Sequence, residues 1–257
     1  KTSNVINTVK PDYIFHLAAQ ALVGKSYNYP FDTIQNNLIS SLNLFEIIRG
    51  YKRKCNLVII TSDKCYLENK NKLIYSENDI LGGNDPYSGS KASVEILFNT
   101  YFNSYFKLKK NIKLCTVRAG NVIGGGDFSD QRILPDIFRA IQNKKKLRIR
   151  MPYAIRPWQH VLEPIFAYLI CGFQLKYNKK LNGESLNIGP NKSNVHSVND
   201  ILQFVKRRYP KLKIEISNKK KLKETILLTL DNKKAKKIIK WKPRFNFDKT
   251  ITLTLNW

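Results

Sequence analysis

The chain has 257 residues, 42% hydrophobic and 25% charged, the balance of a globular protein that can bury one large core or two modest ones. The excess behind its net charge of +26 is mostly lysine, with short runs at Lys144–Lys146, Lys219–Lys221, Lys233–Lys234 and Lys236–Lys237. These read as solvated helix ends and loops rather than as a face for nucleic acid, which would cluster arginine and lysine with interleaved aromatics. No apolar run reaches the roughly 18 residues of a membrane span, and Lys1 to Val9 has no apolar block of a secretory signal.

The first half alternates short apolar runs with longer amphipathic ones. Tyr13 to Ala19, led in by Pro11-Asp12, reads as a strand. Leu38, Leu42, Phe45 and Ile48 then recur at helical spacing. Leu57 to Ile60 is a short continuous apolar run, as in a strand covered on both faces. Val94, Leu97, Phe98, Tyr101 and Tyr105 mark a further helix, and Leu114 to Val117 another buried strand. After Gly124-Gly125-Gly126 the pattern changes. Pro135 to Ile141 and Val161 to Phe173 read as helices, and Ser185 to Gly189 as one more strand. Ser197 is placed to cap a helix from Val198 toward Tyr209, which Pro210 stops. From Lys211 onward, short strand-like pieces alternate with lysine-rich helical turns.

Strand, helix, strand repeated in this way predicts an α/β chain with a Rossmann-like doubly wound parallel sheet. Residues 1–124, completed by about 158–190, are expected to form that sheet. Residues 125–157 and 191–257 are expected to form a smaller α+β lobe. A dinucleotide fold opens with a strand, a glycine-rich turn and a helix, because pyrophosphate needs close backbone approach and a helix N-terminus. Residues 1–60 hold no such element. The expectation is that the sequence starts after it, that Tyr13 to Ala19 becomes an exposed edge, and that residues 1–257 alone are inactive. The triple glycine is not expected to replace it, since Asp127 follows and Pro135 delays the next helix. The four cysteines, Cys55, Cys65, Cys115 and Cys171, form no C-x-x-C pair, so reduced thiols are expected and no metal site.

The chemistry centres on Asp85-Pro86-Tyr87-Ser88-Gly89-Ser90-Lys91. Tyr87 and Lys91 stand four residues apart and share one helix face. An ammonium beside a phenol favours phenolate, a base able to take a proton from a sugar hydroxyl. Alone, such a pair can equally be an exposed helix couple. Thr61-Ser62-Asp63-Lys64 follows the buried run at Leu57 to Ile60, at the strand end where α/β sheets bind ligands. There Asp63 can be a proton donor or simply a turn cap. His16 and His196 read as structural, and His160 as packed rather than catalytic.

Tyr87, Lys91 and the hydroxyl of Ser62 together resemble the Ser/Tyr/Lys triad of short-chain dehydrogenases. Three further segments resemble the extended branch of that family: His16-Leu17-Ala18-Ala19-Gln20, Asn36-Asn37-Leu38, and Arg118 to Gly124. The resemblance implies NAD as cofactor, lying over Leu17, Ala18, Ala19 and Gln20, with Asn37, Thr61, Tyr87 and Lys91 also contributing. Three stretches are similar to the CDP-glucose 4,6-dehydratase family: Thr61 to Tyr66, Gly120 to Asp127, and Ala154 to Pro164. Epimerases lack the acid at Asp63, and dTDP- and GDP-sugar dehydratases carry glutamate where this chain has Lys64. The likeness runs from about residue 5 to the end.

That resemblance implies the following roles. Tyr87 deprotonates the C4 hydroxyl of CDP-glucose, Ser62 steadies that oxygen, and Asp63 protonates the departing C6 hydroxyl. Lys64 is the candidate for moving the C5 proton. Asn121, Arg132, Arg156 and Trp158 fall on the substrate side, Arg156 at the phosphates, although it also reads as a surface ion pair. A homodimer is implied; the lack of an apolar span and of a secretory signal in the sequence leads to the expectation of a cytoplasmic protein, and a basic surface would attract the diphosphate. Departures from the pattern are Gly24-Lys25, Tyr153 in place of histidine, and Gly89 inside the Tyr87–Lys91 helix. The alternatives are another nucleotide-sugar dehydratase or epimerase, or a basic non-catalytic RNA-binding protein.

Overall fold

Four apolar runs pair side by side into one parallel sheet: β1 (Tyr13–His16), β2 (Cys55–Ile60), β3 (Ile112–Ala119) and β4 (Ser185–Ile188), in that spatial order. The computed structural model describes residues 1–69, 71–191, 194–216 and 228–257. The register sets Phe15 against Val58, Val58 against Cys115 and Val117 against Leu186. Successive residues Leu57, Val58 and Ile59 are all fully buried. Since neighbouring side chains on a strand point to opposite faces, both faces of β2 are covered.

The helices that cover one face are α1 (Thr2–Val9), α2 (Ser40–Gly50) and α3 (Pro86–Tyr101). Ile6, Phe45, Ile48, Val94 and Phe98 from these helices pack with Leu57, Ile59, Ile112 and Leu114 of the sheet. Each large side chain buried there stabilises the fold by about 1.5–3 kcal/mol. α4 (Leu162–Leu175) meets β1, and its Gly172 lies so close to the Phe15 ring that an added Cβ would approach to 2.6 Å.

The chain forms two compact units. The first holds Lys1–Gly120, Pro164–Ile188 and Leu230–Lys242; the second holds Asn121–Glu163, Gly189–Thr229 and Pro243–Trp257. Residues 230–242, assigned to the second lobe by the sequence reading, lie in the first unit. There Asp231 N–H donates to Tyr75 O at 2.8 Å, and the Gln174 and Asn178 side chains donate to Ile239 O and Ile238 O at 3.0 Å each.

Among the described residues of the second unit the strands form three separate pairs. Val122–Ile123 runs parallel to Gln159–His160, Leu147–Ile149 parallel to Ile214–Ile216, and Ile155–Pro157 antiparallel to Val195–Ser197. Leu134, Ile137, Trp158, Ile201, Val205, Phe247 and Ile251 close the core of this unit. The helix Val198–Arg208 starts at Ser197 with a full capping box: Ser197 Oγ accepts from Asp200 N at 3.1 Å, and Asp200 Oδ2 accepts from Ser197 N at 2.8 Å.

Three sequence expectations shift. The strand expected from Tyr13 to Ala19 ends at His16, because the Gln20 backbone bonds to a side chain instead of extending the ladder. Pro135 does not delay its helix, which runs Ile133–Gln142. It sits in the first turn, where proline's missing N–H has no helical partner to lose. The helix of Leu38 to Ile48 is interrupted by a π-helical turn, Gln35–Ile39, and that of Tyr105 by another, Phe102–Phe106. The run Lys219–Lys221 lies outside the described residues.

All four cysteines are free and buried. Burial pushes the Cys55 thiol up to about 12, and contact with Cys171 together with burial raises Cys115 well above its usual range. Among the described residues no helix is long and apolar enough to cross a membrane.

Candidate active site

The end of β2 turns sharply after Ile60. Ser62 is extended and caps a single 3-10 turn, Asp63–Cys65: its Oγ accepts from Lys64 N–H at 3.2 Å and donates to Asp63 Oδ1 at 2.9 Å. Asp63 is thus the first residue of the turn and Ser62 its cap, and both side chains are buried. Behind them, an added Cβ at Gly120 would stand 2.0 Å from Asp63 Cγ, so only glycine lets the carboxyl sit there.

α3 brings the next two groups. Asp85 caps it, with Oδ1 accepting from Ser88 N–H at 2.9 Å and Oδ2 from the Ser88 hydroxyl at 2.6 Å, and Pro86 occupies the first turn. Tyr87 and Lys91 follow, one turn apart and 8% and 6% exposed, which removes the reading of an exposed helix couple. Lys91 Nζ donates to Ile60 O at 3.4 Å, at the mouth of the Ser62 turn. Burial pushes the Lys91 ammonium down to about 8 against the opposing charge of Glu95.

Asn37 ties a third segment to this helix. Its Oδ1 accepts from Gln20 N–H at 2.7 Å, while its Nδ2 donates to Gln20 O at 3.1 Å and to Ser90 Oγ at 2.8 Å. Leu17 and Ala18 are exposed on the loop so held, and Ala19 and Gln20 are half-buried. His16, at the end of β1, lies 3.1 Å from Ser41 Oγ. Burial first, and the Lys91 charge second, push His16 down to about 4, so it is neutral at pH 7.

Ser62, Asp63, Tyr87, Lys91, Asn37, Gln20 and Thr61 therefore belong to one unit and one end of its sheet. Lys64 is held differently: its Nζ lies 3.4 Å from Glu68 Oε1, at a half-exposed position. Sequence reasoning missed Glu95. It is fully buried, pairs with Arg118 Nη2 at 2.7 Å and accepts from Thr116 Oγ1 and Ser185 Oγ at 2.9 Å each. Its position one helical step after Lys91 was the available signal.

The second unit carries the remaining candidates. Asn121 has a left-handed backbone, φ 53°. Arg132 Nη1 lies 3.1 Å from Asp127 Oδ2, Arg156 Nη1 donates to Ile155 O at 2.8 Å, and buried Trp158 donates from Nε1 to His196 O at 2.9 Å. His160 is buried, with its ring edge-on to Phe245, and burial lowers its pKa. His196 stacks on Phe247 at 3.9 Å. Among the described residues no three His, Cys, Asp or Glu side chains are grouped to hold a metal.

The model of the family described as GDP-mannose 4,6 dehydratase matches residues 1–254. This chain belongs to that family. It is 36% identical over 262 residues to a CDP-glucose 4,6-dehydratase of Salmonella typhimurium, covering 100% of this chain and 73% of that protein. It is 23% identical to a dTDP-glucose 4,6-dehydratase of Haemophilus influenzae, over 99% of this chain and 78% of that one. Among solved structures, dTDP-glucose 4,6-dehydratase from Bacillus anthracis in complex with NAD superposes with a TM-score of 0.82 at 23% identity, covering 100% of this chain and 75% of that one. The UDP-glucose 4-epimerase of Thermotoga maritima, solved with UDP-glucose, gives 0.83 at 23% identity, over 99% and 79% of the two chains. At these identities the two structures speak for the α/β fold, and the family membership rests on the sequence matches.

Proposed function

We propose that this enzyme dehydrates CDP-glucose to CDP-4-dehydro-6-deoxy-D-glucose with NAD as cofactor. The observation that carries the reading is the meeting of Ser62 and Asp63, at the end of β2, with the Tyr87–Lys91 helix, through the Lys91 bond to Ile60 O. Lys91 also provides the test of fit for the cofactor. Its ammonium has three N–H donors, and among the described residues Ile60 O is its one, distant acceptor, so a ribose diol suits the remainder. Asn37 and Gln20 would frame the same ribose-nicotinamide end, with Leu17, Ala18, Ala19 and Thr61. When bound, NAD would supply the hydride acceptor for the sugar's C4 and the donor for its C6.

The residues of the chain then divide the proton work. A phenol ionises near 10, and the Lys91 charge favours its phenolate, so Tyr87 takes the C4 hydroxyl proton near neutral pH. Ser62 turns its hydroxyl from Asp63 to the C4 oxygen. A 4-keto group acidifies C5, Lys64 moves that proton, and Asp63 gives one to the C6 hydroxyl as it leaves. The product differs from the substrate by one water, with no net oxidation. Arg156 pairs its guanidinium fork with substrate phosphate oxygens, and Asn121, Arg132 and Trp158 contribute to substrate binding. We place the enzyme in the cytoplasm as a homodimer.

The test incubates the protein with NAD and, in parallel, CDP-, dTDP-, UDP- and GDP-glucose, with products followed by proton NMR. A 4-keto-6-deoxy product formed fastest from CDP-glucose is expected. Turnover of none of the four would remove the reading, and a faster rate with another base would move the substrate.

A further inference from the structure

α3 grips the end of β2 at two consecutive residues. Lys91 Nζ donates to Ile60 O at 3.4 Å, and one turn further on Glu95 accepts a hydrogen bond from Thr61 Oγ1. The other contacts of that carboxylate come from the neighbouring strands: Thr116 Oγ1 and Ser185 Oγ at 2.9 Å, and Arg118 Nη2 at 2.7 Å. The Glu95 side chain has no exposure and that of Arg118 has 2%. A buried ion pair gives little net stability, and apolar residues of similar volume commonly serve as well or better. A full charge at this place therefore calls for a reason other than packing.

The groups around Lys91 supply one. His16 faces it from β1, Cys65 from the turn after β2, and Tyr87 and Glu95 from its own helix. His16 is neutral at pH 7, and burial raises the Cys65 thiol well above its usual range. Burial opposes ionisation of Glu95, but the charge and hydrogen bond of Arg118 outweigh it and hold the carboxyl below its usual range. Of these groups Glu95 is the one held ionised below its usual range.

We infer that Glu95 is a positioning residue for the reaction proposed above: its charge holds Lys91 as a cation, and its bond to Thr61 fixes the strand end that carries Ser62 and Asp63. The inference rests on that reading for its role in catalysis, but its electrostatic half can be read in the protein alone. Arg118 keeps the carboxylate ionised in the dry interior. The three hydroxyls on Glu95 tie its position to β2, β3 and β4 together.

The test compares wild type with Glu95→Gln/Arg118→Met, which removes both charges, and with Glu95→Gln alone. The first readout is the Cε carbon resonance of Lys91 in protein labelled with 13C-lysine, assigned by its loss in Lys91→Met. It should titrate at about 8 in wild type and at least roughly one pH unit lower in either variant. The second is the pH profile of C4 oxidation. Its alkaline limb should move the same way, since the cation is lost at lower pH. Thr61→Val, which cuts the tie and keeps the charge, should lower the rate at every pH and leave the limb in place. An unmoved Lys91 titration in the variants overturns the inference and makes Glu95 a packing residue only. A moved titration with no C4 oxidation by wild type upholds the electrostatic link and sinks the proposed reaction instead.

Discussion

At the scale of single residues, the proposed chemistry separates two substitutions that a binding protein would not tell apart. Tyr87→Phe removes one oxygen and leaves the diphosphate and base contacts in place. C4 oxidation should fall below detection by NADH absorbance, while CDP affinity measured by calorimetry stays within about threefold. Lys64→Met should give a different failure. Oxidation at C4 proceeds, then stalls with NADH and a 4-keto hexose, and the C5 hydrogen no longer exchanges with deuterated water. Wild-type exchange in that variant would show that another group moves the C5 proton. Tyr87 and Lys91 were legible as residues because their spacing is local. Glu95 lay on the same helical stripe, yet its partners Arg118 and Ser185 stand 23 and 90 residues away, and spacing alone does not bring them together.

At the scale of elements, helix starts were readable wherever a cap residue announces them. The Ser197 capping box is the clearest case. Ser197→Ala should cost about 1 kcal/mol and lower the urea midpoint followed by tryptophan emission, without changing C4 oxidation per folded molecule. Strands were readable as apolar runs but not in their lengths, because the length depends on what the backbone bonds to next. Gln20 bonds to Asn37, so β1 stops at His16 and delivers an irregular loop instead of a longer edge. The π-helical turns left no trace in the sequence, since Leu38, Leu42, Phe45 and Ile48 suit an unbroken helix equally well. The assignment of residues 230–242 failed for a related reason. Lysine-rich turns look alike, and the buried Ala235, Ile239 and Trp241 that anchor them stand among lysines.

At the scale of the whole molecule, the net charge of +26 acts at long range on any dianionic nucleotide sugar. Raising sodium chloride from about 0.02 to 0.2 M should weaken CDP affinity several-fold through the slower association step, while kcat holds. An equal fall in kcat would place the charge effect in the chemistry instead. The buried cysteines have a consequence of another kind. Cys55, Cys65, Cys115 and Cys171 all fall within the first unit, on two strands, a turn and a helix. With every thiol shielded, a colorimetric disulfide reagent reaches them only when that unit opens. Their reaction is therefore a clock for the opening of the half that holds Tyr87 and Lys91, to which the cysteine-free second unit is silent.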